Sequence, residues 1–497
     1  MFMDELFTFF KRHLAALTLV ITLSVCAALI AFGDGVRGTD QYWYLADTQT
    51  LAAGEAPTTN TVFPGVVLRN QNGFEETYFA HNGPVLHINA LLAKSLGPFV
   101  AWKYSNIVFL LLAAVFTGLT VGRLAGTQWG YAACIVYMVT PINLWLAGNV
   151  LQETFFAFLS AVIIYLIVVG DKAAMPRAFL LPLLVVGCAS HPLFLVVGLC
   201  FSIYSAVVNR TFAYAIMVLL VVVLTTALKG YVFPSSFPPS MRDLVASSVP
   251  GVSNTIWLMS NVVPQIDVAF MVNKLGHALS VQFLPSSLTP IYLVSNLGLI
   301  GFICLAFRFS KRMRPVMFCA AVWMLAYAAM VVLMQNQMRY QLLIIPASVI
   351  CCVLWLSQWS RQRLAVIGLI VLVTAYIPVD YLMLTRIQTE SLSERQALLQ
   401  VSRKLDFIEK SDRIAVVGNN TGGWLSLIAT MRHNKTLLVS RNLLQDDTFS
   451  EAVMLFEPDY IFTRDGLTLD EIPNAEFIKR HVFDDFQNLD IYRINQL

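Results

Sequence analysis

The first side chains that could do chemistry lie just beyond the first long apolar run. Asp34 and Asp40 follow it in Gly33-Asp-Gly-Val-Arg-Gly-Thr-Asp40, and Tyr42, Trp43 and Tyr44 come directly after. A carboxylate at the edge of a bilayer is suited to act as a general base toward a hydroxyl. Asp34, between two glycines, reads as a turn residue. Asp40 also has a bland reading: Thr39 or Asp40 would start an interfacial amphipathic helix whose aromatics sit in the headgroup belt. The two readings are compatible.

Glu153 is the second carboxylate, in Gly148-Asn-Val-Leu-Gln-Glu153 at the head of an apolar run. With Asn149 as cap, it would simply meet the positive end of a helix. Acidic groups at membrane depth are costly, however, and tend to face a cavity. Three histidines come next: His81, His87 and His191. A lone histidine near an interface is more often a hydrogen-bonded core residue. His191 gains weight because Pro192 breaks the helix there and frees backbone groups. No His, Cys or carboxylate spacing matches a known ligand set, so binding of a divalent metal is left open. Arg339, in Gln335-Asn-Gln-Met-Arg-Tyr340, reads as a bidentate clamp on a phosphate, against the alternative of snorkelling to the headgroups. Arg69, Lys103 and Lys274 are weaker candidates of the same kind.

These residues must be held by a membrane scaffold. Of the 497 residues 57% are hydrophobic and only 13% charged, about half the charge of a soluble domain, roughly 25%. The spans are read at 12–32, 100–122, 128–147, 151–169, 177–190, 192–208, 211–230, 288–307, 315–334, 341–357 and 364–384, from apolar runs of about 20 residues. The first reads as a span that is kept rather than a cleaved signal. All eight cysteines fall in apolar runs, so no disulfide framework is implied. No basic block points to nucleic acid.

Basic residues set the expected orientation. Lys11 and Arg12, Arg123, Lys172 and Arg177, Arg210, Lys311 to Arg314, and Arg361 with Arg363 all fall on one side if the spans alternate. That side would be cytoplasmic, with the N-terminus. The other side collects the loop 33–99, the junction 148–153, the break at His191, the loop 231–287 and Gln335 to Tyr340. Nearly half of the charged residues lie from Arg386 onward, so 386–497 reads as a soluble α/β domain outside the membrane, after a membrane part at 1–385. Strands are expected at Arg413 to Gly418, Lys435 to Val439, Tyr460 to Thr463 and Leu489 to Ile494, with a helix at Trp424 to Met431. The glycines of 417–423 lack the spacing of a dinucleotide fingerprint and read as a turn.

Several segments together resemble a family. The acidic residue followed by aromatics at the head of the first loop is one. Tyr78-Phe-Ala-His-Asn-Gly-Pro-Val-Leu86 resembles a "Y-F-x-K-x-P-L" segment. Thr140-Pro141 with Gly148 to Phe155 resembles an "S-P … E/D-x-x-x-x-F-F" element. Met338-Arg-Tyr-Gln-Leu-Leu-Ile-Ile-Pro346 resembles "R-Y-x-x-x-x-x-P". This is the pattern of the GT-C glycosyltransferases that use polyprenyl-phosphate sugars, which include the lipid A aminoarabinose transferases and protein O-mannosyltransferases. The family's lysine before the proline is replaced here by His81 or Asn82.

The resemblance implies a GT-C-like helical membrane protein of about eleven spans, with loop helices on the outer face and a C-terminal α/β domain. It implies a single sugar moved from a polyprenyl-phosphate donor to a hydroxyl of a glycan, glycolipid or protein, with inversion, at the outer face of the inner membrane. Asp40 would be the base and Glu153 would orient the acceptor or sugar. Arg339, His191, His81 and Asn82 would meet the phosphate, and Tyr42, Tyr44 and Tyr340 would line the substrate. An amphipathic piece from Ile256 to Leu284 would act as a lid. A flippase would place more polar residues mid-span, and a ligase or polymerase of lipid-linked saccharides would carry more arginines than Arg37, Arg69 and Arg242 in these loops. Nothing in the sequence sets an oligomeric state.

Overall fold

Lipid offers the backbone no hydrogen-bond partner, so long apolar runs close their own bonds as helices. The computed structural model describes residues 2–32, 39–55, 61–62, 83–170, 174–191, 193–233, 272–273, 276, 289–308, 310–333, 344–360, 362–405, 407–409, 411–418, 435–440, 453, 455–463, 475–483 and 487–494. Each expected span contains a helix. In chain order these are α1 (Phe2–Phe32), α4 (Pro98–Ala125), α5 (Thr127–Met138) with α6 (Pro141–Ala147), α7 (Glu153–Gly170), α8 (Ala174–Ser190), α9 (Leu193–Val207), α10 (Phe212–Val232), α11 (Thr289–Phe307), α12 (Arg314–Leu333), α13 (Ile345–Ser357) and α14 (Gln362–Lys404). Two further helices, α2 (Thr39–Ala52) and α3 (Pro84–Leu96), lie in the first loop.

Among the described residues, five helices are long and apolar enough to cross a membrane. A sixth is reached if α5 and α6, bent by 58°, count as one span. That bend departs from the single run expected at 128–147. Its cause is local: Pro141 forces Thr140 out of the helical region, to ψ 119°, and then starts α6 as its first residue.

Close packing depends on small residues, as lipid-embedded helices require. A Cβ on Gly118 would lie 2.8 Å from the Gly130 carbonyl, so α4 and α5 touch backbone to backbone. In the same way, Gly298 and Gly301 of α11 abut Ser348 and Cys351 of α13. On α10, by contrast, Leu220, Leu224 and Leu228 are exposed, the stripe of a lipid-facing helix.

The C-terminal part carries a sheet of order β1-β3-β2-β4-β6-β5, with β1 at Thr61–Val62, β2 at Ile414–Gly418, β3 at Thr436–Ser440, β4 at Tyr460–Thr463, β5 at Ala475–Phe483 and β6 at Gln487–Ile494. The first four strands run parallel, and β6 and β5 are antiparallel additions. Ile414 faces Thr436 on one side and Tyr460 on the other, and Val416, Leu437, Phe462 and Ile491 are fully buried. Two strands were not expected. β5 mixes runs of charged and apolar side chains with no strict alternation, and it pairs antiparallel to β6. β1 comes from the first loop and extends the edge of β3, so that loop and the C-terminal sheet are joined. The helix expected at 424–431 lies outside the described residues. α14 is continuous for 43 residues and passes 385–386, the expected boundary of the membrane part, without a break.

Candidate functional site

α2 begins at Thr39, as the capping residues predict, which sets Asp40 in its first turn. The side chains of Asp40, Tyr42 and Trp43 lie outside the described residues. Tyr44, one turn on, is 2% exposed and its ring lies 5.4 Å from that of Trp102 on α4. Trp102 Nε1 donates to Thr48 Oγ1 at 2.8 Å. Tyr44, expected at a substrate, is packed here between α2 and α4. Asp47, on the same helix, is buried, and burial pushes its carboxyl well above the usual carboxylate range.

Glu153 opens α7 and is 5% exposed. The cap of this helix is not Asn149. The amides of Phe155 and Phe156 donate to the Gln152 carbonyl at 3.0 and 3.3 Å. Asn149 Nδ2 instead donates back to the Trp145 carbonyl, because the chain turns between α6 and α7 before the helix starts. The Asn149 carbonyl accepts from Asn106 Nδ2 of α4 at 2.8 Å.

His191 ends α8, with its amide on the Gly187 carbonyl at 2.8 Å. Its Nδ1 accepts from the Leu193 amide at 3.2 Å, so it caps the start of α9 and the neutral ring carries its proton on Nε2. The ring lies 5.1 Å from that of Phe156, one turn from Glu153. His191 and Glu153 thus share one end of the antiparallel pair α7 and α8.

Two more side chains join this end. His87 of α3 lies 5.4 Å, ring to ring, from Phe233 at the end of α10, and burial lowers its pKa. Lys229 lies in the last turn of α10, the helix that packs against α8 and α9 on either side of His191. The sequence reading missed Lys229 because it sits at the edge of an apolar run, where lysine commonly snorkels. It also missed Asp47 and Asp380 of α14, a buried carboxylate one turn from the buried Tyr376. Lys103, a candidate phosphate contact, donates to the Ile30 carbonyl at 2.6 Å and so closes the last turn of α1.

The opposite end has a different character. Arg312 donates to the Arg123 carbonyl at 2.7 Å, and Arg177 Nε to the Gly170 carbonyl at 3.0 Å. These are the basic residues that alternation of the spans assigns to one side. His81, Asn82, Arg339, Tyr340 and nearly all of the lid expected at 256–284 lie outside the described residues. Among the described residues no three His, Cys, Asp or Glu side chains converge on a point that could hold a metal ion.

The described end therefore carries a carboxylate, two imidazoles and a cation, with His191 against Phe156 and His87 against Phe233, and the helix that bears Asp40 is docked on α4 beside it. Such a set can orient hydroxyl groups and meet an anionic phosphate at headgroup depth.

No protein-family model and no curated protein matches the sequence. Solved structures do. ArnT from Cupriavidus metallidurans bound to undecaprenyl phosphate is 12% identical, over 96% of this chain and 97% of that one, with a TM-score of 0.58. The Archaeoglobus fulgidus oligosaccharyltransferase in complex with Zn and sulfate is 12% identical over 89% of this chain and 68% of its own, with a TM-score of 0.55. The archaeal AglB in complex with an inhibitory peptide and a dolichol-phosphate gives 0.54 over 92% of this chain and 70% of its own. Both proteins are GT-C glycosyltransferases. The likeness that the sequence motifs carried is thus a likeness of structure: the chain has the GT-C fold over most of its length.

Proposed function

We propose that the protein is an inverting glycosyltransferase that moves a single sugar from a polyprenyl-phosphate donor to an acceptor hydroxyl. The observation that carries this reading is the gathering of Glu153, His191, His87 and Lys229 at the end of the bundle where α2 is docked. The match along 96% of the chain to a structure bound to undecaprenyl phosphate supports it.

In this reading Asp40 takes the proton of the acceptor hydroxyl as its oxygen attacks the anomeric carbon. The bond from that carbon to the phosphate oxygen breaks, polyprenyl phosphate leaves, and the stereocentre inverts because the displacement is single. Lys229 and His191, with His81, Asn82 and Arg339, meet the charge that develops on the phosphate. Glu153 orients the acceptor or the sugar, and Tyr42 and Tyr340 line the substrate. Tyr44 acts by packing. A divalent cation takes no step in this scheme.

The Glu153 end and the C-terminal sheet face the outside and the Arg123 end faces the cytoplasm, in keeping with the positive-inside bias. The chemistry then belongs to 1–385 and the external domain to 386–497, in the inner membrane of a cell that builds an envelope glycan. The archaeal oligosaccharyltransferase matches favour a second reading, in which a whole oligosaccharide is moved. The chain spans 97% of ArnT but 68% of the archaeal enzyme, which favours the first.

The test is to incubate the purified protein with a panel of polyprenyl-phosphate sugars and polyprenyl-diphosphate oligosaccharides. One monosaccharide donor should be consumed, and Asp40→Asn should lower the rate by roughly 10²- to 10⁴-fold, the worth of a general base. Normal turnover by the variant would remove Asp40 from the role. Consumption of the oligosaccharide alone would favour the second reading.

A further inference from the structure

Asn106 lies two turns into α4 and is 0% exposed. An apolar side chain would fill that place readily, whereas a buried carboxamide is costly unless it is paired. One half is paired: Nδ2 donates to the Asn149 carbonyl at 2.8 Å. Oδ1 is buried with no hydrogen-bond partner among the described residues. The side chain is therefore poorly explained by stability alone, since an unsatisfied buried acceptor costs about as much as one hydrogen bond returns.

What the bond does achieve is positional. Asn149 is held by four hydrogen bonds: from Asn106 at its carbonyl, from the Leu151 amide at the same oxygen at 3.0 Å, from its own amide to the Leu146 carbonyl at 3.2 Å, and from its own side chain to Trp145. Glu153 starts α7 four residues later, across a non-helical junction. Asn106 also stands one turn along α4 from Trp102, whose indole holds α2 through Thr48. Adjacent turns of one rigid helix thus fix the helix that begins at Thr39 and the junction that ends at Glu153.

We propose that Asn106 is a positioning residue: its carboxamide fixes the backbone at Asn149 and, through it, the placement of Glu153 relative to α2. The inference rests on the reading of Glu153 as a site carboxylate. A displacement of about 1 Å at a reacting site can cost on the order of 10²-fold in rate. Loss of the bond should therefore act on turnover, while stability changes little because the orphan oxygen is lost with it.

The experiment measures kcat and donor KM for the full-length protein in detergent, with thermal unfolding alongside, for Asn106→Leu, Glu153→Gln and the double variant. Asn106→Leu should lower kcat by about 10- to 100-fold with donor KM and unfolding midpoint little changed. In the Glu153→Gln background it should have almost no further effect, because it acts through that side chain. If leucine does not fold, Asn106→Ala serves with the same expectation for kcat. Full multiplication of the two effects, or wild-type kcat in Asn106→Leu while Glu153→Gln is impaired, would overturn the positioning role alone. Wild-type turnover by Glu153→Gln would instead overturn the reading on which it rests.

Discussion

At the Arg123 end of the bundle, cations close helix ends. Arg312 and Arg177 each donate to the last carbonyls of a neighbouring or preceding helix, and Tyr214 donates back to the Arg177 carbonyl at 2.8 Å. At the Glu153 end Lys103 does the same on Ile30. There the buried polar groups tie one chain segment to another: Trp102 to Thr48, Ser105 to Asn89 at 2.7 Å, and Asn106 to Asn149. Cations act at the first end and buried neutral polar groups at the second. One end shows cations on helix ends; the other shows buried ties between chain segments next to a carboxylate.

That contrast can be broken by substitution. Among the described side chains of the two ends, the largest effect is expected at Glu153: Glu153→Gln should lower sugar transfer by about 10²-fold, as loss of an orienting or charge-stabilising group does. Unchanged activity would make the two ends equivalent. Lys229→Met should raise the donor KM by about tenfold, the worth of one charged hydrogen bond, with a smaller effect on kcat. A KM that does not move would return Lys229 to the role of a helix-end lysine.

Asp47→Asn should change stability rather than catalysis. Burial raises the folded pKa of Asp47, so the folded chain keeps a proton that the unfolded chain loses near pH 4. Stability of the wild-type protein therefore falls as pH rises from about 4 toward that raised value. The variant should unfold at a higher temperature than wild type at pH 7.5, and at the same temperature near pH 4. An equal difference at both values would remove the carboxyl from the account. The smallest effect is expected at the other end: Arg312→Ala should leave transfer within about twofold and cost no more than about 1 kcal/mol, as exposed polar contacts do.

The sequence made the scaffold readable where one physical signal dominates. Apolar length marked the helices, Pro192 the break after Ser190, and Thr39 the start of α2. It was less readable where tertiary contact decides. The Asn149-to-Glu153 spacing looked like a capped helix, but the carboxamide turns back to Trp145 because α6 ends just before. Tyr44 looked available to a substrate, and Trp102, far away in the chain, covers it. Asn106, Asp47 and Lys229 carry no pattern of their own. None of them matches a motif, and only the helix packed against it reveals what it does. β1 shows the same limit, since two residues of loop gain a strand only from the exposed edge of β3.

The comparison between the two ends is tested most directly by crosslinking. A polyprenyl-phosphate probe with a photoreactive group beside its phosphate would be bound to the purified protein, irradiated, and the labelled peptides sequenced. Labelling at 187–194 and 226–233, displaced by unlabelled polyprenyl phosphate, is the predicted result. Displaceable labelling around Arg123, Arg177 and Arg312, with none at the Glu153 end, would contradict the account.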